Sequence, residues 1–254
     1  MTLLHHIFHS PKNPNRRPPL ILIHGAGGSF LSWHPYLRRL AGETVYTLDL
    51  PGHGESQDGG RQSIEEYAAE VGAFIEESRI LKPVIAGHSM GSAVAMTLAL
   101  NEPEKYSGLV LLGAGAKLRV SPLILEKAGS PDTFPEAVAL VNENSFNPDV
   151  PKDLLRLSNE NMLKTDRQTL LGDFLACDSF DVMDRVASIQ LPTLILCGTL
   201  DIMTPPKFSK TLAEKIPNSR LRLVEKAGHM LALEQPEEVA GSLKDFLDGL
   251  PPLS

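Results

Sequence analysis

Short apolar runs alternate along the chain with longer segments in which apolar residues recur at helical spacing. The runs that predict buried strands cover residues 19–24, 44–48, 83–87, 108–112, 192–197 and 221–224. Most are apolar at nearly every position, which is typical of strands that helices cover on both faces. Because these strands alternate with helical segments, the pattern predicts βαβ units and a mostly parallel sheet.

Three segments show the clearest helical pattern. Ser63 and Glu66 form a capping-box pattern, and apolar residues then repeat every three or four positions as far as Ile75. Helices are also predicted over 91–100, where small residues would allow close packing on the sheet, and over 236–250, where apolar residues share one face.

The alternation breaks between residues 117 and 187. Five prolines divide this stretch into short helical patterns, and it contains no strong strand signal. We interpret 117–187 as a helical cap inserted into an α/β core that consists of 1–116 and 188–254.

Composition limits the classes of protein to consider. The chain has 254 residues with 42% hydrophobic and 22% charged residues, so it can bury a core without metal or disulfide support. Its net charge is −7 and its basic residues form no stripe, which argues against nucleic-acid binding. No run of about 18 apolar residues predicts a membrane span.

The N-terminal residues lack the basic start and apolar stretch of a secretory signal. The two cysteines, Cys177 and Cys197, have no metal-binding spacing, and we expect buried free thiols in a reducing compartment. These features favour a cytoplasmic protein without a metal site. The sequence is compatible with either a monomer or a homodimer.

The strongest chemical signal is Gly87-His88-Ser89-Met90-Gly91, which matches G-x-S-x-G. It follows a predicted strand and precedes a predicted helix, which is the context that a nucleophilic serine on a sharp turn requires. A short pattern of this kind also occurs by chance as a glycine-rich turn, so other elements have to support it.

Three further loops do so. His24 to Gly28 is a glycine-rich loop after an early strand, and the amides of Ala26 and Met90 are the expected oxyanion-hole donors. Asp201 and His229 each follow a later strand, and they complete a Ser-Asp-His order along the chain.

With these elements the chain resembles the α/β-hydrolase superfamily over nearly its whole length, in particular its serine esterase and lipase-like branch with a helical cap. The segment from Asp49 to Ser56 resembles the superfamily turn D-x-P-G-H-G-x-S, and the resemblance implies a structural role for Asp49 and His53. A serine nucleophile argues against the dehalogenase and epoxide-hydrolase branches. Some members carry the acid after an earlier strand, but residues 113–116 contain no carboxylate, which favours Asp201.

The resemblance implies an esterase that works through an acyl-enzyme on Ser89, without a cofactor. Because the sequence has no basic cluster for phosphate or CoA, we expect small to medium apolar esters as substrates. The same residues also serve C–C bond hydrolases, enol-lactonases, perhydrolases and acyltransferases, and a small-molecule receptor on a hydrolase scaffold is the alternative outside catalysis. We expect the cap and the region 29–34 to select the substrate. The candidate pocket aromatics are Phe30, Trp33, Phe134, Phe146, Phe174 and Phe180, although aromatic residues in amphipathic helices are more often core.

Overall fold

The computed structural model describes residues 4–14 and 17–251. Their strands form one sheet of seven strands in the order β1-β3-β2-β4-β5-β6-β7. Strand β1 runs antiparallel to β3, and every other neighbouring pair is parallel. The strands are β1 (His6–His9), β2 (Leu20–Ile23), β3 (Val45–Leu48), β4 (Val84–His88), β5 (Gly108–Leu112), β6 (Thr193–Gly198) and β7 (Ser219–Val224).

All six strands predicted from the apolar runs form, with ends within two residues of the prediction. Successive residues of a strand point to opposite faces of the sheet, and the core divides accordingly. Ile21 and Ile23 of β2 pack on one face, whereas Leu20 and Leu22 pack on the other. The prediction of helices on both faces of a mostly parallel sheet is therefore confirmed.

The helices divide between these two faces and a third group. Helices α2 (Ile64–Glu77), α3 (Met90–Asn101) and α8 (Pro206–Lys215) contribute to the first core. Helices α1 (Pro35–Arg38), α9 (Leu231–Glu234) and α10 (Pro236–Asp248) contribute to the second. The third group consists of α4 (Pro122–Gly129), α5 (Phe134–Ser145), α6 (Lys152–Met162) and α7 (Arg167–Ser179).

This third group lies between β5 and β6 in the chain, inside the segment interpreted as a cap. Its helices share a small apolar cluster of their own, which includes Val138, Leu170 and Phe174. At the base of the insertion, Lys117 and Asp181 form an isolated antiparallel bridge and an ion pair of 2.7 Å. The limits of the cap, residues 117 and 187, stay a prediction.

The structure also bears on the predictions for the two cysteines and for membrane spans. Cys177 and Cys197 are both free and buried, as expected. In the described part of the chain, no helix combines the length and the apolar character that crossing a bilayer requires. The N-terminal segment examined for a signal is covered only from residue 4 onward, because residues 1–3 lie outside the described ranges.

Candidate active site

Ser89 occupies a strained turn between β4 and α3. Its backbone has φ 54° and ψ −119°, a conformation that L-residues rarely adopt. A Cβ on Gly87 would lie 1.9 Å from the carbonyl oxygen of Gly91, and a Cβ on Gly91 would lie 2.3 Å from that of Ile23. Both glycines of the G-x-S-x-G pattern are therefore required by the close packing of the turn.

Asp201 and His229 form a buried acid–imidazole pair at the ends of β6 and β7. Nδ1 of His229 lies 2.9 Å from Oδ2 of Asp201. The other oxygen of Asp201, Oδ1, accepts the backbone N–H groups of Met203 and Thr204 at 2.9 and 2.8 Å. Because Nδ1 faces the carboxylate, Nε2 is the ring nitrogen of His229 that is left for other contacts.

Thr204 completes the environment of this pair, and no motif in the sequence indicates it. Its hydroxyl donates to Asp201 Oδ2 at 2.8 Å and lies 3.1 Å from His229 Nδ1. Burial by itself would raise the pKa of Asp201, but the neighbouring His229 and the hydrogen bonds from Thr204 bring that pKa below its ordinary value. The Asp201 side chain is thus kept ionised beside the imidazole.

Gly113, directly after β5, makes room for the pair. Its φ is +53°, and a Cβ at this position would lie 2.9 Å from both Nδ1 and Cε1 of His229. The sequence of residues 113–116 indicates only that they contain no carboxylate. Their contribution is steric, because a side chain at 113 would displace the imidazole.

The peptide between Gly25 and Ala26, which carries the Ala26 N–H, is held by hydrogen bonds to its carbonyl oxygen. The Gly25 carbonyl oxygen accepts Nδ1–H of His24 at 2.8 Å and the N–H of Gly28 at 3.1 Å. Nε2 of His24 accepts the N–H of Leu50 at 3.0 Å, which assigns the proton to Nδ1. Since the N–H and C=O of a peptide point in opposite directions, these contacts turn the Ala26 N–H away from them.

The two predicted oxyanion donors are free within the described residues, because neither the Ala26 nor the Met90 amide has a hydrogen-bond partner there. The positioning imidazole of His24 is neutral. Its pKa falls to about 3, mainly through burial and also through the charge of the nearby His53.

The loop that carries His229 is connected to the cap. Glu234 accepts the N–H of Gly228 with one carboxylate oxygen and the N–H of Asn147 with the other, both at 2.9 Å. The N–H of Met230 donates to the carbonyl of Ser145, at the end of α5, at 3.0 Å. Burial raises the pKa of Glu234 despite these hydrogen bonds.

His88, the residue before the serine, supports the same loop. Its Nε2 lies 2.9 Å from the carbonyl oxygen of His229, and the two ring centroids are 4.8 Å apart. Burial, followed by the charge of His229, lowers the pKa of His88 to about 3. His88 is therefore a neutral hydrogen-bond donor to this loop.

Ser89 and His229 line one cavity of about 730 Å³ between the sheet and the cap. The loop 25–28 lines it as well, and helices α4 to α7 contribute much of the remaining wall. Apolar side chains form much of that wall, including Leu118, Ile124, Val141, Met162, Phe174 and Phe208. Its polar residues include Asn142, Ser158 and Asn161.

Of the aromatic residues predicted to line a pocket, Phe174 lines this cavity. The other five are not among the residues that line it. Phe30 packs beside His5 and under the guanidinium of Arg38. The remaining rings belong to packed apolar regions instead: Trp33 and Phe180 in the two sheet cores, Phe134 against the cap cluster, and Phe146 buried after α5. Apolar character alone does not distinguish a core position from a cavity wall.

Asp49 has the structural role that the resemblance implied. Its carboxylate accepts the N–H of Phe30 at 2.6 Å and that of Glu55 at 3.0 Å, which joins two loops near the sheet edge. His53 is not among the residues that line the cavity. Within the ranges that the structure describes, no group of three or more His, Cys, Asp or Glu side chains has the arrangement to hold a metal ion.

The family model of the alpha/beta hydrolase family matches residues 20–242, and the chain therefore belongs to this family. It is 30% identical over 247 residues to the dihydrolipoyllysine-residue acetyltransferase component of the acetoin cleaving system of Pseudomonas putida. That alignment covers 90% of this chain but 63% of the relative, so the chain spans less than two thirds of that protein.

Two other similarities extend over both partners. The chain is 27% identical over 260 residues to the pimeloyl-[acyl-carrier protein] methyl ester esterase of Neisseria meningitidis serogroup C, covering 93% of this chain and 96% of the relative. The solved structure of a thermophilic esterase superposes with a TM-score of 0.82 at 30% identity, covering 98% of this chain and 100% of that one. The α/β-hydrolase fold is confirmed, and the relatives include esterases.

Proposed function

We propose that this protein is a serine hydrolase that cleaves small to medium apolar carboxylic esters through an acyl-enzyme on Ser89. One observation carries the proposal. Ser89, on its strained turn, and His229, whose Nδ1 faces Asp201 at 2.9 Å, line the same cavity beneath the cap. In this reading Ser89, Asp201 and His229 are the catalytic triad.

The mechanism follows from these residue types. Nε2 of His229 takes the proton of the Ser89 hydroxyl as Oγ attacks the ester carbonyl carbon. The same proton is then delivered to the departing alcohol, which leaves an acyl group on Oγ. Water, activated by His229, cleaves the acyl-enzyme and releases the carboxylic acid. Asp201 holds the imidazole in the required tautomer and stabilises its protonated form.

The oxyanion that forms in each addition step needs hydrogen-bond donors. The Ala26 and Met90 amides, both without a partner in the described residues, are the donors that we assign. Met90 is the first residue of α3, so its amide also lies at the positive end of the helix dipole. Removing one such donor typically lowers kcat about 100-fold to 1,000-fold.

The cavity supports the substrate class. A volume of about 730 Å³ falls within the range of small-molecule sites, and apolar side chains from the cap provide much of the wall. Phe174 and Met162 are on this wall, where they are placed to contact an apolar acyl chain or alcohol group. The two esterases among the similar proteins agree with ester hydrolysis.

A burst assay with p-nitrophenyl esters of increasing acyl length tests the proposal. Wild type is expected to release one equivalent of p-nitrophenol per chain rapidly, and Ser89→Ala is expected to lose both the burst and the turnover. Ser188→Ala removes an exposed hydroxyl outside the cavity and serves as the matched control. The acyl length with the highest kcat/KM measures the acyl pocket.

Product analysis separates the alternatives. An acyltransferase transfers the acyl group to an added alcohol or thiol in preference to water, and the acetyltransferase component among the relatives makes this control worthwhile. Absence of any Ser89-dependent hydrolysis across the whole ester series would reject the esterase proposal. The alternative functions to test would then be C–C bond hydrolysis and ligand binding without turnover.

A further inference from the structure

A buried charge cluster connects the cap to the loop 25–28 outside the wall of the catalytic cavity. Its centre is Asp173 on α7, and its other members are His53 and Tyr67 from the core. The exposed fractions of Asp173, His53 and Tyr67 are 0%, 1% and 0%. A carboxylate that is fully removed from water requires a specific set of partners.

Asp173 has such a set. Its Oδ2 accepts the backbone N–H of Gly27 and Nε2–H of His53, both at 2.8 Å, and its Oδ1 accepts the Tyr67 hydroxyl at 2.5 Å. Nδ1 of His53 faces the Pro51 carbonyl at 3.0 Å, so both ring nitrogens face acceptors and both donate. Burial disfavours charge on this ring, but Asp173 outweighs it and raises the pKa of His53.

The Gly27 amide belongs to a tight turn. The N–H of Gly28 donates to the carbonyl of Gly25, and Gly27 has φ +60°, which is the glycine position of a type II turn. The central peptide of such a turn, between Ala26 and Gly27, can rotate by half a revolution to give a type I turn. A carboxylate accepts the N–H of this peptide and would repel its carbonyl oxygen, so Asp173 selects one orientation.

We propose that Asp173 is a positioning residue that holds this turn in the arrangement in which the Ala26 amide is available to the oxyanion. Ala26 lies between the peptide held by His24 and the peptide held by Asp173, so these two contacts fix the turn on both sides of the Ala26 amide, and loss of either one leaves the turn free to shift. The inference rests on the proposed function, in which that amide is a donor. It assigns to the cap a part in catalysis besides substrate selection.

A second cap contact acts on the same turn. The hydroxyl of Thr165, in the loop before α7, donates to the Gly27 carbonyl oxygen at 3.2 Å. A Cβ on Gly27 would lie 2.7 Å from Cδ1 of Leu170, also on α7. The cap therefore contacts the turn through both polar groups of Gly27, and Leu170 leaves no room for a side chain at this position.

Asp173→Ala removes the acceptor of the Gly27 amide. We expect kcat to fall about 10-fold to 100-fold with KM changed less than about threefold, because a displaced oxyanion donor weakens the transition state more than the bound ester. Asp173→Asn keeps an acceptor oxygen without the charge and is expected to recover most of the lost kcat. Asp166→Asn, at the N-cap of the same helix, is the matched control and is expected to leave kcat unchanged.

A structural role is separated from a positioning role by Tyr67→Phe, which removes another partner of the same carboxylate but leaves the Gly27 contact. It is expected to lower the melting temperature with a much smaller loss of kcat than Asp173→Ala. Because Asp173→Ala deprives His53 of its hydrogen-bonded counter-charge, the double variant Asp173→Ala/His53→Gln is measured in parallel and is expected to show the same kcat loss.

Amide hydrogen exchange by NMR gives a readout that needs no turnover. The Gly27 amide of the full chain is expected to exchange about tenfold faster in Asp173→Ala than in wild type. A kcat within about threefold of wild type in Asp173→Ala, or equal losses of kcat in Asp173→Ala and Tyr67→Phe, would overturn the inference. If wild type hydrolyses none of the esters in a Ser89-dependent way, the proposed function fails on its own, and unchanged Gly27 exchange in Asp173→Ala would then reject the role of Asp173 separately.

Discussion

Gly113→Ala is the substitution for which the structure predicts the most specific defect. The new Cβ would lie 2.9 Å from Nδ1 and Cε1 of His229 and 3.5 Å from Oδ2 of Asp201. Ordinary contacts between such atoms begin at about 3.5 Å, so the imidazole would have to move by roughly 0.6 Å. The backbone cannot yield easily, because the N–H of Gly113 donates to the carbonyl of Leu196 on β6 at 3.0 Å.

Two effects of different size follow. Alanine at φ +53° costs about 1–2 kcal/mol of folding free energy, since its Cβ is crowded in the left-handed region. Displacing His229 by a fraction of an ångström is expected to lower kcat about 10-fold to 100-fold, because proton transfer depends steeply on the positions of the groups involved. KM is expected to change little, since most residues that line the cavity are distant in sequence from Gly113 and belong to the cap and the loop 25–28.

Steady-state kinetics on the preferred p-nitrophenyl ester and urea unfolding measure these two effects. Gly241→Ala is the matched control, because Gly241 lies within α10 and a Cβ there would meet nothing within 4 Å. That variant is expected to gain about 1 kcal/mol of stability from helix propensity with unchanged kcat. A Gly113→Ala enzyme with kcat within about twofold of wild type would refute the steric argument.

Three further outcomes are expected. Thr204→Val removes the hydroxyl that donates a hydrogen bond to Asp201 and should lower kcat about tenfold. Thr204→Ser keeps the hydroxyl and should recover most of this loss, so equal kinetics in the two variants would contradict the role of Thr204. The pKa of His53 is raised above 6.5 in the folded protein, so protonated His53 stabilises the fold below pH 6.5, and this stabilisation is lost as the pH rises through the folded-state pKa. Between about pH 6 and about pH 9 the free energy of unfolding should therefore fall more in wild type than in His53→Gln. Burial raises the pKa of Cys197 to about 11, and this residue is outside the cavity wall, so a thiol reagent at about pH 8 should modify it only after unfolding. Rapid labelling of Cys197 in the folded chain would disprove this.

The sequence by itself determined the strands and the order of the chemical groups along them. Buried strands in a parallel sheet are apolar on both faces, so each one is recognisable as an apolar run in the sequence without knowing which strands it pairs with. Ser89, Asp201 and His229 each follow such a run. Since the carboxyl ends of parallel strands lie at one edge of a sheet, their approach could be expected before the fold was known.

Tertiary structure alone decided which side chains face the cavity and which residues support the proposed catalytic groups. Trp33 and Phe174 are equally apolar in sequence, yet the first is buried in a sheet core and the second lines the cavity. Gly113 and Asp173 act on groups more than a hundred residues away in the chain, as in the contact between Asp173 and Gly27, which are 146 positions apart. Hydrophobic periodicity describes which residues are neighbours along one helix or strand. Contacts between residues so far apart in sequence depend on how the cap packs against the core, and no local pattern encodes that packing.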